Sequence, residues 1–279
     1  ILQAGHELVV NDARKEAAES LLEKGAAWAD TPETLARECQ LVVTCLPSPQ
    51  IVEQVALGEK GLIKGWKKGD IYIDMSTNSP TTVRRIAEAA GPLGVEMLDA
   101  PVSGGTRGAD QGTLTIMVGG ETGTLEKARP VLEAMGKKVF HLGSVGCGNA
   151  AKLVNNMIAL ACGSIVAEGF VLGVKAGIDP VALYEIIKVS TGNNWSLQQY
   201  PDTVLKGNFE PGFKISLAYK DINLALSLGE EYGVPLPVGL TVKKDLEEAI
   251  AAGFSDKGVD AVILNLEKAT GIEVRSAEK

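Results

Sequence analysis

The periodicity of the sequence changes at Gly143, and this change constrains the fold more than any other feature. Before Gly143, short apolar runs rich in β-branched residues alternate with amphipathic stretches of helical period, and after it only the helical period remains. Apolar strands separated by helices are typical of a mainly parallel sheet covered on both faces. With 279 residues, the chain has room for two domains. We predict an α/β, doubly wound parallel-sheet domain over residues 1–143 and an all-α domain over residues 144–279.

The individual elements follow from the same patterns. Strands are predicted over residues 7–12, 41–46, 70–74, 95–100, 113–118 and 138–142. Helices are predicted over 13–24, 80–90, 122–135, 180–189, 216–233, 236–252 and 259–269. Between the domains, an apolar stretch without proline reaches about Ala176, which predicts one long interdomain helix. Ligands of parallel sheets lie beyond the carboxyl ends of the strands, so we expect the functional residues there.

Composition and charge exclude several classes of function. The net charge is −8 and no run of basic residues offsets it, so a nucleic-acid partner is not expected. The longest apolar runs carry Gly, Asn or Glu, which predicts no membrane-spanning segment, and nothing resembles a secretory leader. The four cysteines lack metal-like spacing and lie among apolar residues. We therefore expect reduced thiols, no metal site and a cytoplasmic protein.

The glycine-rich segment at 143–156 places a lysine in the first turns of the long helix. At helical pitch Lys152 and Asn156 share one face, and Asn155 lies beside them. Lysine is seldom buried without a partner, and the glycines allow a ligand or another backbone to come close. A catalytic lysine is one interpretation, and a lysine that extends from a helix end into solvent is the other. The two histidines border strands, so any proton transfer falls to another residue type.

Asp12 ends the first predicted strand, where an acid can accept hydrogen bonds from the ribose hydroxyls of a dinucleotide. It would serve equally well as the N-cap of helix 13–24, and both roles can hold. The fingerprint G-x-G-x-x-G is expected about 20 residues before such an acid. The sequence begins at Ile1, and residues 1–5 look like the tail of a first helix. We hypothesise that the natural protein has roughly 20 more N-terminal residues, which its intact mass would test.

A second glycine-rich loop follows the strand predicted to end at Ala100. In this loop Ser103, Gly104 and Gly105 offer a hydroxyl and backbone amides, which suit a small anion such as a carboxylate. A tight turn without a ligand explains the same residues. Arg107 could pair with a second carboxylate of a substrate, or it could lie solvated on the surface.

Seven motifs together resemble one family. They are Asp12, Leu46–Pro47, DMST at 74–77, DAPVSGG at 99–105, GTLTIMVGG at 112–120, GxGxxxKxxxN at 146–156 and Lys220–Asp221. In this order they resemble the β-hydroxyacid dehydrogenases, the family of 3-hydroxyisobutyrate dehydrogenase and tartronate semialdehyde reductase. The resemblance implies a Rossmann domain, a long interdomain helix and a helical domain that often forms homodimers or homotetramers. It also implies reversible oxidation of a small 3-hydroxy acid to its semialdehyde with NAD, with NADP open because Arg14 and Lys15 could accept a phosphate.

The resemblance also implies roles for single residues. Lys152 would be the general acid/base, and Asn156, with Asn155 beside it, would hold the substrate or the lysine. The substrate carboxylate would bind at Ser103 and Gly104, with Gly105 next to them. The implied cofactor residues are Asp12, Leu46, Pro47, Thr77, Lys220 and Asp221.

Trp195 and Tyr200 resemble the aromatic pair of the hydroxyisobutyrate and serine dehydrogenase branches, which would place Trp195 at the substrate. Core packing of both aromatics is the alternative. Asn193 and Asn194 could hydrogen-bond a polar substrate, so a substrate with an extra polar group is a further alternative. The competing function is a non-catalytic nucleotide-binding scaffold of the same fold, in which the lysine would typically be lost. In an imine reductase, a second competitor, Lys152 would be replaced.

Overall fold

The computed structural model describes residues 1–276, which form two compact units. The first unit is Ile1–Lys152, and the second begins at Leu153. The division falls inside the long helix, whereas the predicted domain boundary at 143–144 lies in the turn before that helix.

The first unit contains a six-stranded sheet and a separate pair of short strands. The strands are β1 (Val9–Val10), β2 (Ala27–Trp28), β3 (Leu41–Thr44), β4 (Ile71–Asp74), β5 (Glu96–Asp99), β6 (Val102–Ser103), β7 (Leu114–Gly120) and β8 (Gly136–His141). β1 pairs with β2, and within the larger sheet the hydrogen-bonded order is β3-β4-β5-β7-β6, with β8 paired to β7.

The larger sheet is parallel in two parts and antiparallel where they join. β3, β4 and β5 are parallel, and so are β7 and β8, but β7 runs antiparallel to both β5 and β6. Strands joined by short connections pair antiparallel, because a parallel pair needs a crossover of a dozen or more residues. β5, β6 and β7 follow one another closely, so antiparallel pairing is confined to β7 with β5 and β6, and the sheet is mainly parallel, as predicted. The doubly wound α/β class itself is confirmed.

Helices cover both faces of the sheet. In the first unit they are α1 (Glu19–Leu22), α2 (Pro32–Glu38), α3 (Pro49–Leu57), α4 (Pro80–Ala90), α5 (Gly105–Asp110) and α6 (Thr122–Met135). Alternate strand residues point to opposite sides: Tyr72 packs in the core that holds α3 and α4, whereas Ile73 packs in the core that holds α6. The carboxyl edge of the strands is thereby held rigidly from both sides.

The first helix of the chain differs from its prediction. Residues 13–24 were expected to form one helix, but they form a 3₁₀ turn at Lys15–Ala18 followed by the single turn α1. Only Ala18 of this stretch is buried. Because helices in proteins owe most of their stability to an apolar face packed in a core, this stretch lacks the support for a regular helix. The predicted strand at 7–12 is likewise reduced to β1.

The described part of the second unit is helical, apart from one isolated bridge between Lys214 and Gly258. Its helices are α8 (Pro180–Lys188), α9 (Trp195–Gln199), α10 (Ile215–Tyr232), α11 (Pro237–Ala251) and α12 (Ile263–Thr270). The long helix α7 (Cys147–Lys175) begins in the first unit and continues into the second. Apart from α9 and a 3₁₀ turn at Val259–Val262, the elements agree closely with the predicted helices.

α7 is long and apolar enough to span a membrane, by length and composition alone. The prediction that the apolar runs fall short of such a segment is therefore corrected, although the core helix of a globular protein meets the same criterion. Four large apolar side chains of α7 are well exposed, namely Val154, Ile158, Ile165 and Leu172.

Candidate active site

Three polar residues lie side by side at the carboxyl edge of the sheet. Thr44 is the register partner of Asp74, and Asp74 is the register partner of Asp99. All three are buried. Oδ1 of Asp74 accepts hydrogen bonds from the Thr44 hydroxyl (3.0 Å) and from the backbone N–H of Ser76 (3.1 Å). The last residues of β3, β4 and β5 therefore meet at one edge of the larger sheet.

Asp99 holds the beginning of α7. Its Oδ1 accepts the backbone N–H of Gly146 at 2.7 Å, and its Oδ2 accepts the backbone N–H of Asn149 at 2.6 Å. The first N–H groups of a helix have no partner within the helix, so a fixed acceptor beside them defines where the helix starts. One buried carboxylate from β5 thus serves as the acceptor for the start of the long helix.

Asn149 joins α7 to the segment after β4. Its Oδ1 accepts the backbone N–H of Asn78 at 2.7 Å, and the Asn78 side-chain amide donates to Oδ2 of Asp74 at 2.9 Å. Asn78 and Asn149 are both fully buried. Buried polar groups are costly unless they are hydrogen-bonded, so these contacts fix the two segments to each other.

Two glycines allow α7 to approach the sheet this closely. A methyl group at Gly148 would lie 2.6 Å from the carbonyl oxygen of Asp99 and closer still to that of Met117. A methyl group at Gly119 would lie 2.7 Å from the carbonyl oxygen of Ser144 and would overlap the Asp99 carboxylate. Real Cβ atoms do not come so close, because the atoms would overlap. The glycines of the motifs at 112–120 and 146–156 therefore allow a backbone-to-backbone contact.

Lys152 lies one turn after Asn149 and is buried, with only 8 % of its surface exposed. The spacing of Asn149, Lys152 and Asn156 puts all three on one face of α7, and all three are buried. The alternative of a lysine extending into solvent is inconsistent with this burial. A polar, buried stripe on an otherwise apolar helix is typical of a functional face.

Within the second unit, Asn156 is held by a carboxylate of α10. The side-chain amide of Asn156 donates to Oδ2 of Asp221 at 2.6 Å. Asp221 is buried and forms an ion pair with the ammonium of Lys220 at 2.9 Å. Asn155 is exposed, and its side-chain amide donates to Oδ1 of the Asn156 side chain at 3.1 Å. Asp221, which the resemblance implied as a cofactor residue, thus holds the side chain of Asn156.

The proposed anion loop is open to solvent. Ser103 ends β6 and is half-buried, whereas Gly104 and Gly105 are exposed. Both glycines have positive φ angles, 132° and 61°, which residues with side chains rarely adopt. Arg107 follows within α5 and is exposed as well. The hydroxyl and the backbone of this loop remain available to a small anionic ligand.

The candidate cofactor residues fit a dinucleotide in part. Asp12 is exposed after β1, and only its Oδ1 is engaged, by the backbone N–H of Arg14 at 2.8 Å, so a second oxygen remains for a ribose hydroxyl. Leu46 and Pro47 follow β3 and Thr77 follows β4, at the edge where nucleotides bind in such sheets. No glycine fingerprint for the pyrophosphate occurs between Ile1 and Asp12.

The two aromatic residues predicted as a pair lie in different environments. Tyr200 is buried, with its ring centre 4.7 Å from that of Phe170, so it belongs to the core of the second unit. Trp195 is exposed at the start of α9 and is free to contact a ligand. Asn194 is engaged as the N-cap of α9, where it accepts the N–H of Leu197.

Burial changes the acidity of the two carboxylates at the sheet edge. It raises the pKa of Asp99 to about 6, against the opposing effect of the N–H groups of Gly146 and Asn149. Burial also raises the pKa of Asp74, which hydrogen bonds from Asn78, Ser76 and Thr44 oppose. Sequence reasoning had quoted both aspartates as parts of motifs and had assigned neither a role. Their position as the last residues of β4 and β5 was the available signal.

Two family models together match most of the chain. One, described as the NAD binding domain of 6-phosphogluconate dehydrogenase, matches residues 1–143. The other, described as "NAD-binding of NADP-dependent 3-hydroxyisobutyrate dehydrogenase", matches residues 146–266. A two-domain NAD(P)-binding oxidoreductase is the class that these matches define.

Individual proteins agree with the family models. The chain is 36% identical to 2-(hydroxymethyl)glutarate dehydrogenase of Eubacterium barkeri, over 100% of this chain and 93% of that protein. It is 38% identical to 3-hydroxyisobutyrate dehydrogenase of Pseudomonas aeruginosa, over 93% and 90% respectively. The structure of Mycobacterium tuberculosis 3-hydroxyisobutyrate dehydrogenase with L-serine is similar at a TM-score of 0.88 and 34% identity, covering 95% of this chain and 92% of that one.

The chain belongs to the β-hydroxyacid dehydrogenase family. It is an NAD(P)-dependent oxidoreductase of the hydroxyacid dehydrogenase class. Within residues 1–276, no group of three or more His, Cys, Asp or Glu side chains is arranged to hold a metal ion.

Proposed function

We propose that the protein interconverts a small 3-hydroxy acid and its semialdehyde, with Lys152 as the general acid/base. The observation that carries this proposal is the burial of Lys152 on the polar face of α7, one turn after a helix start that Asp99 and Asn149 hold in place. A non-catalytic scaffold would have no need for a buried lysine, which is costly to accommodate.

The protein's own groups supply proton transfer and orientation. When bound, NAD(P) accepts or delivers the hydride. In the oxidation, the neutral amine of Lys152 would take the hydroxyl proton; in the reduction, its ammonium would stabilise the developing alkoxide and return the proton. The amide of Asn156, oriented by Asp221, would hold the substrate hydroxyl or the lysine.

The substrate class follows from the loop at 103–105. Its hydroxyl and exposed backbone suit one carboxylate, and a hydroxyl on the β-carbon of the acid would then be presented to the lysine. We propose substrates like 3-hydroxyisobutyrate, glycerate or serine, with Trp195 contributing an apolar contact. Relatives named for 2-(hydroxymethyl)glutarate and 3-hydroxyisobutyrate support the class, since both compounds carry a hydroxymethyl group next to a carboxylated carbon.

We propose NAD as the preferred cofactor, with NADP open. The exposed carboxylate of Asp12 would accept ribose hydroxyls and repel a 2′-phosphate, whereas the exposed Arg14 and Lys15 would attract one. Residues Leu46, Pro47 and Thr77 would line the cofactor. Lys220 would lie toward the nicotinamide, with Asp221 fixing its position by the ion pair described above.

We also propose a cytoplasmic homodimer or homotetramer. The exposed apolar side chains of α7 recur at spacings of four and seven residues, which is typical of a helix that packs lengthwise against another. A second copy of the chain would remove this stripe from water. Exposed apolar patches of this kind are typical of protein interfaces.

The decisive experiment is a spectrophotometric panel on the natural full-length protein. The acids are both enantiomers of 3-hydroxyisobutyrate, glycerate and serine, and the reverse reaction uses the semialdehydes, each with NAD(H) and NADP(H). L-Lactate, whose hydroxyl is on the α-carbon, and 2-methylpropan-1-ol, which lacks the carboxylate, serve as controls. We expect turnover of at least one 3-hydroxy acid and none of the controls. No turnover of any acid or semialdehyde would favour the scaffold instead.

A further inference from the structure

A chain of hydrogen bonds, buried from Ser76 onward, runs from the loop after β3 to the first turn of α7. The backbone N–H of Leu46 donates to the Ser76 hydroxyl at 2.8 Å, and the N–H of Ser76 donates to Asp74 at 3.1 Å. Asp74 in turn accepts the side-chain amide of Asn78 at 2.9 Å. Segments expected to line the cofactor are thus tied to a buried carboxylate.

The same chain continues into the helix that carries Lys152. The backbone N–H of Asn78 donates to the Asn149 side chain, and the N–H of Asn149 donates to Asp99. Asp99 completes the chain by accepting the N–H of Gly146. Buried polar networks whose members are all satisfied hold a single arrangement, because breaking one contact leaves a buried group unpaired.

The contacts of Asp99 determine the position and the orientation of the first turn of α7. Its two oxygens take N–H groups three residues apart, and this defines both the height and the rotation of the first turn. At Gly119 and Gly148 the backbone of the turn is in direct contact with the sheet, so the turn has no space to move closer to the sheet. Lys152 lies three residues after Asn149 in the same helix, so the position of the first turn determines the position of the Lys152 Cα.

We propose that Asp99 and Asn149 are positioning residues, which anchor the first turn of α7 to the sheet edge and thereby place the amine of Lys152. The inference rests on the proposed role of Lys152 and extends it to two residues that would not touch the substrate. Their effect should be large, because a displacement of about 1 Å at a reacting group can cost about 10²-fold in rate.

The test compares two buried aspartates that receive the same substitution. In Asp99→Asn an NH₂ group replaces one of the two acceptor oxygens and faces a backbone N–H donor. One of the two hydrogen bonds that hold the turn is therefore lost. Asp70→Asn is the matched control, because Asp70 is also buried and accepts a backbone N–H, from Lys67 at 2.7 Å, but lies just before the amino end of β4. Asn149→Ala provides a milder second variant, because it removes the link to Asn78 and the long side-chain contact with Asp99 (3.4 Å) but keeps the backbone N–H bond to Asp99.

Two measurements are made on each full-length variant. The first is kcat and KM for the best substrate of the panel. The second is the rate of acylation of Lys152 relative to Lys175, measured by peptide mass spectrometry, which requires no turnover. For Asp99→Asn we expect kcat to fall about 10- to 100-fold with KM changed little, and the relative labelling rate of Lys152 to change about threefold or more. Asp70→Asn should match the unmodified protein in both.

The outcomes separate the two proposals. If the unmodified protein turns over no substrate, the proposed function fails, while the labelling ratio still decides whether Asp99 places Lys152. If Asp99→Asn behaves like Asp70→Asn in both kcat and labelling, the positioning inference is overturned. Should Asp99→Asn fail to fold, Asn149→Ala decides: an unchanged labelling ratio and kcat would overturn the inference, and a change in both would support it.

Discussion

The first turns of α7 and its later turns differ in almost every physical respect. From Cys147 to Lys152 the helix lies against the sheet, with Gly148 in backbone contact and Asn149 fully buried. Beyond Leu153 the helix exposes a row of large apolar side chains, of which Ile158, Ile165 and Leu172 are more than half exposed. One helix thus has a beginning that is fixed by hydrogen bonds and a continuation that offers an uncovered apolar face.

The difference teaches that apolar content alone does not describe this helix. Its later turns could tolerate many side chains of similar size, because exposed or apolar contacts are not directional. Its first turns tolerate few substitutions, because two backbone N–H groups and one side-chain amide must keep their hydrogen bonds while two glycines keep close backbone contacts. Chemistry that depends on position is expected in the first part, and association with other molecules in the second.

The largest expected effect is on kcat, and it should distinguish Lys152 in the first turns of α7 from Lys175 at the end of the same helix. Lys152→Ala should lower kcat by about 10²–10⁴, the usual contribution of a general acid/base, and should leave the affinity for NADH unchanged. Lys175→Ala is the control on the same helix, since Lys175 is exposed at the helix end and donates to the Thr270 carbonyl at 3.1 Å. Steady-state kinetics and fluorescence titration with NADH measure both. Parallel loss of NADH binding and kcat in Lys152→Ala would indicate a structural lysine.

Glycine-to-alanine substitutions compare the packing of the two parts directly. Gly148→Ala should lower the free energy of unfolding by about 3 kcal/mol, because the methyl group overlaps the carbonyl oxygens of Asp99 and Met117. Gly163→Ala should raise it by about 0.5–1 kcal/mol, because the nearest atom is 3.9 Å away and alanine favours the helix. Urea unfolding provides both values. Equal effects at the two sites would show that the first turn can shift without cost.

Asp99 predicts a pH dependence of stability. Its pKa is raised from 3.8 to about 6 in the folded protein, so between these values the folded state binds more protons than the unfolded state. Stability from this group is therefore present below about pH 4 and is lost as the pH rises through about 6, a change of about 3 kcal/mol. When the unfolding free energies of the unmodified protein and Asp99→Asn are measured from pH 4 to 8, the unmodified protein should lose stability relative to the variant as the pH rises, by most of this amount. A difference that does not change with pH would contradict the prediction.

The smallest effect on stability is expected in the later part of the helix. Ile165→Lys should dissociate the proposed oligomer while changing the unfolding free energy of the isolated chain by about 0.5 kcal/mol or less. Sedimentation equilibrium measures the mass in solution. Val238→Lys, on α11, is the control, because Val238 is exposed to a similar extent. An oligomer that survives Ile165→Lys but not Val238→Lys would place the interface elsewhere.

The sequence predicted most of the regular elements because their signals are local. The strands at 41–44 and 71–74 are short apolar runs, and α7 is one uninterrupted apolar stretch. α2 and α3 were not predicted, although both carry a local start signal: Thr31 and Ser48 cap them, each followed by a proline. β2 and β6 have two residues each, which is too short for any periodicity to register.

The candidate site was predictable only as a set of residues and not as an arrangement. Lys152, Asn156 and Ser103 carry motifs that can be recognised in the chain. The contacts of Asp99 with residues 146 and 149 join positions 47 and 50 residues apart, and no local pattern encodes them. The role of Asp221 toward Asn156, 65 residues away, depends on tertiary packing in the same way.

The row of Thr44, Asp74 and Asp99 has a consequence for protein engineering. Because each member of this row is buried and its polar atoms are committed, a library that varies these positions would yield mostly inactive or unfolded variants. Trp195 and Arg107 are exposed and are not part of that row. Under the proposed function, saturation mutagenesis at these two positions, rather than in the row, is expected to change the substrate range while the chemical step is retained.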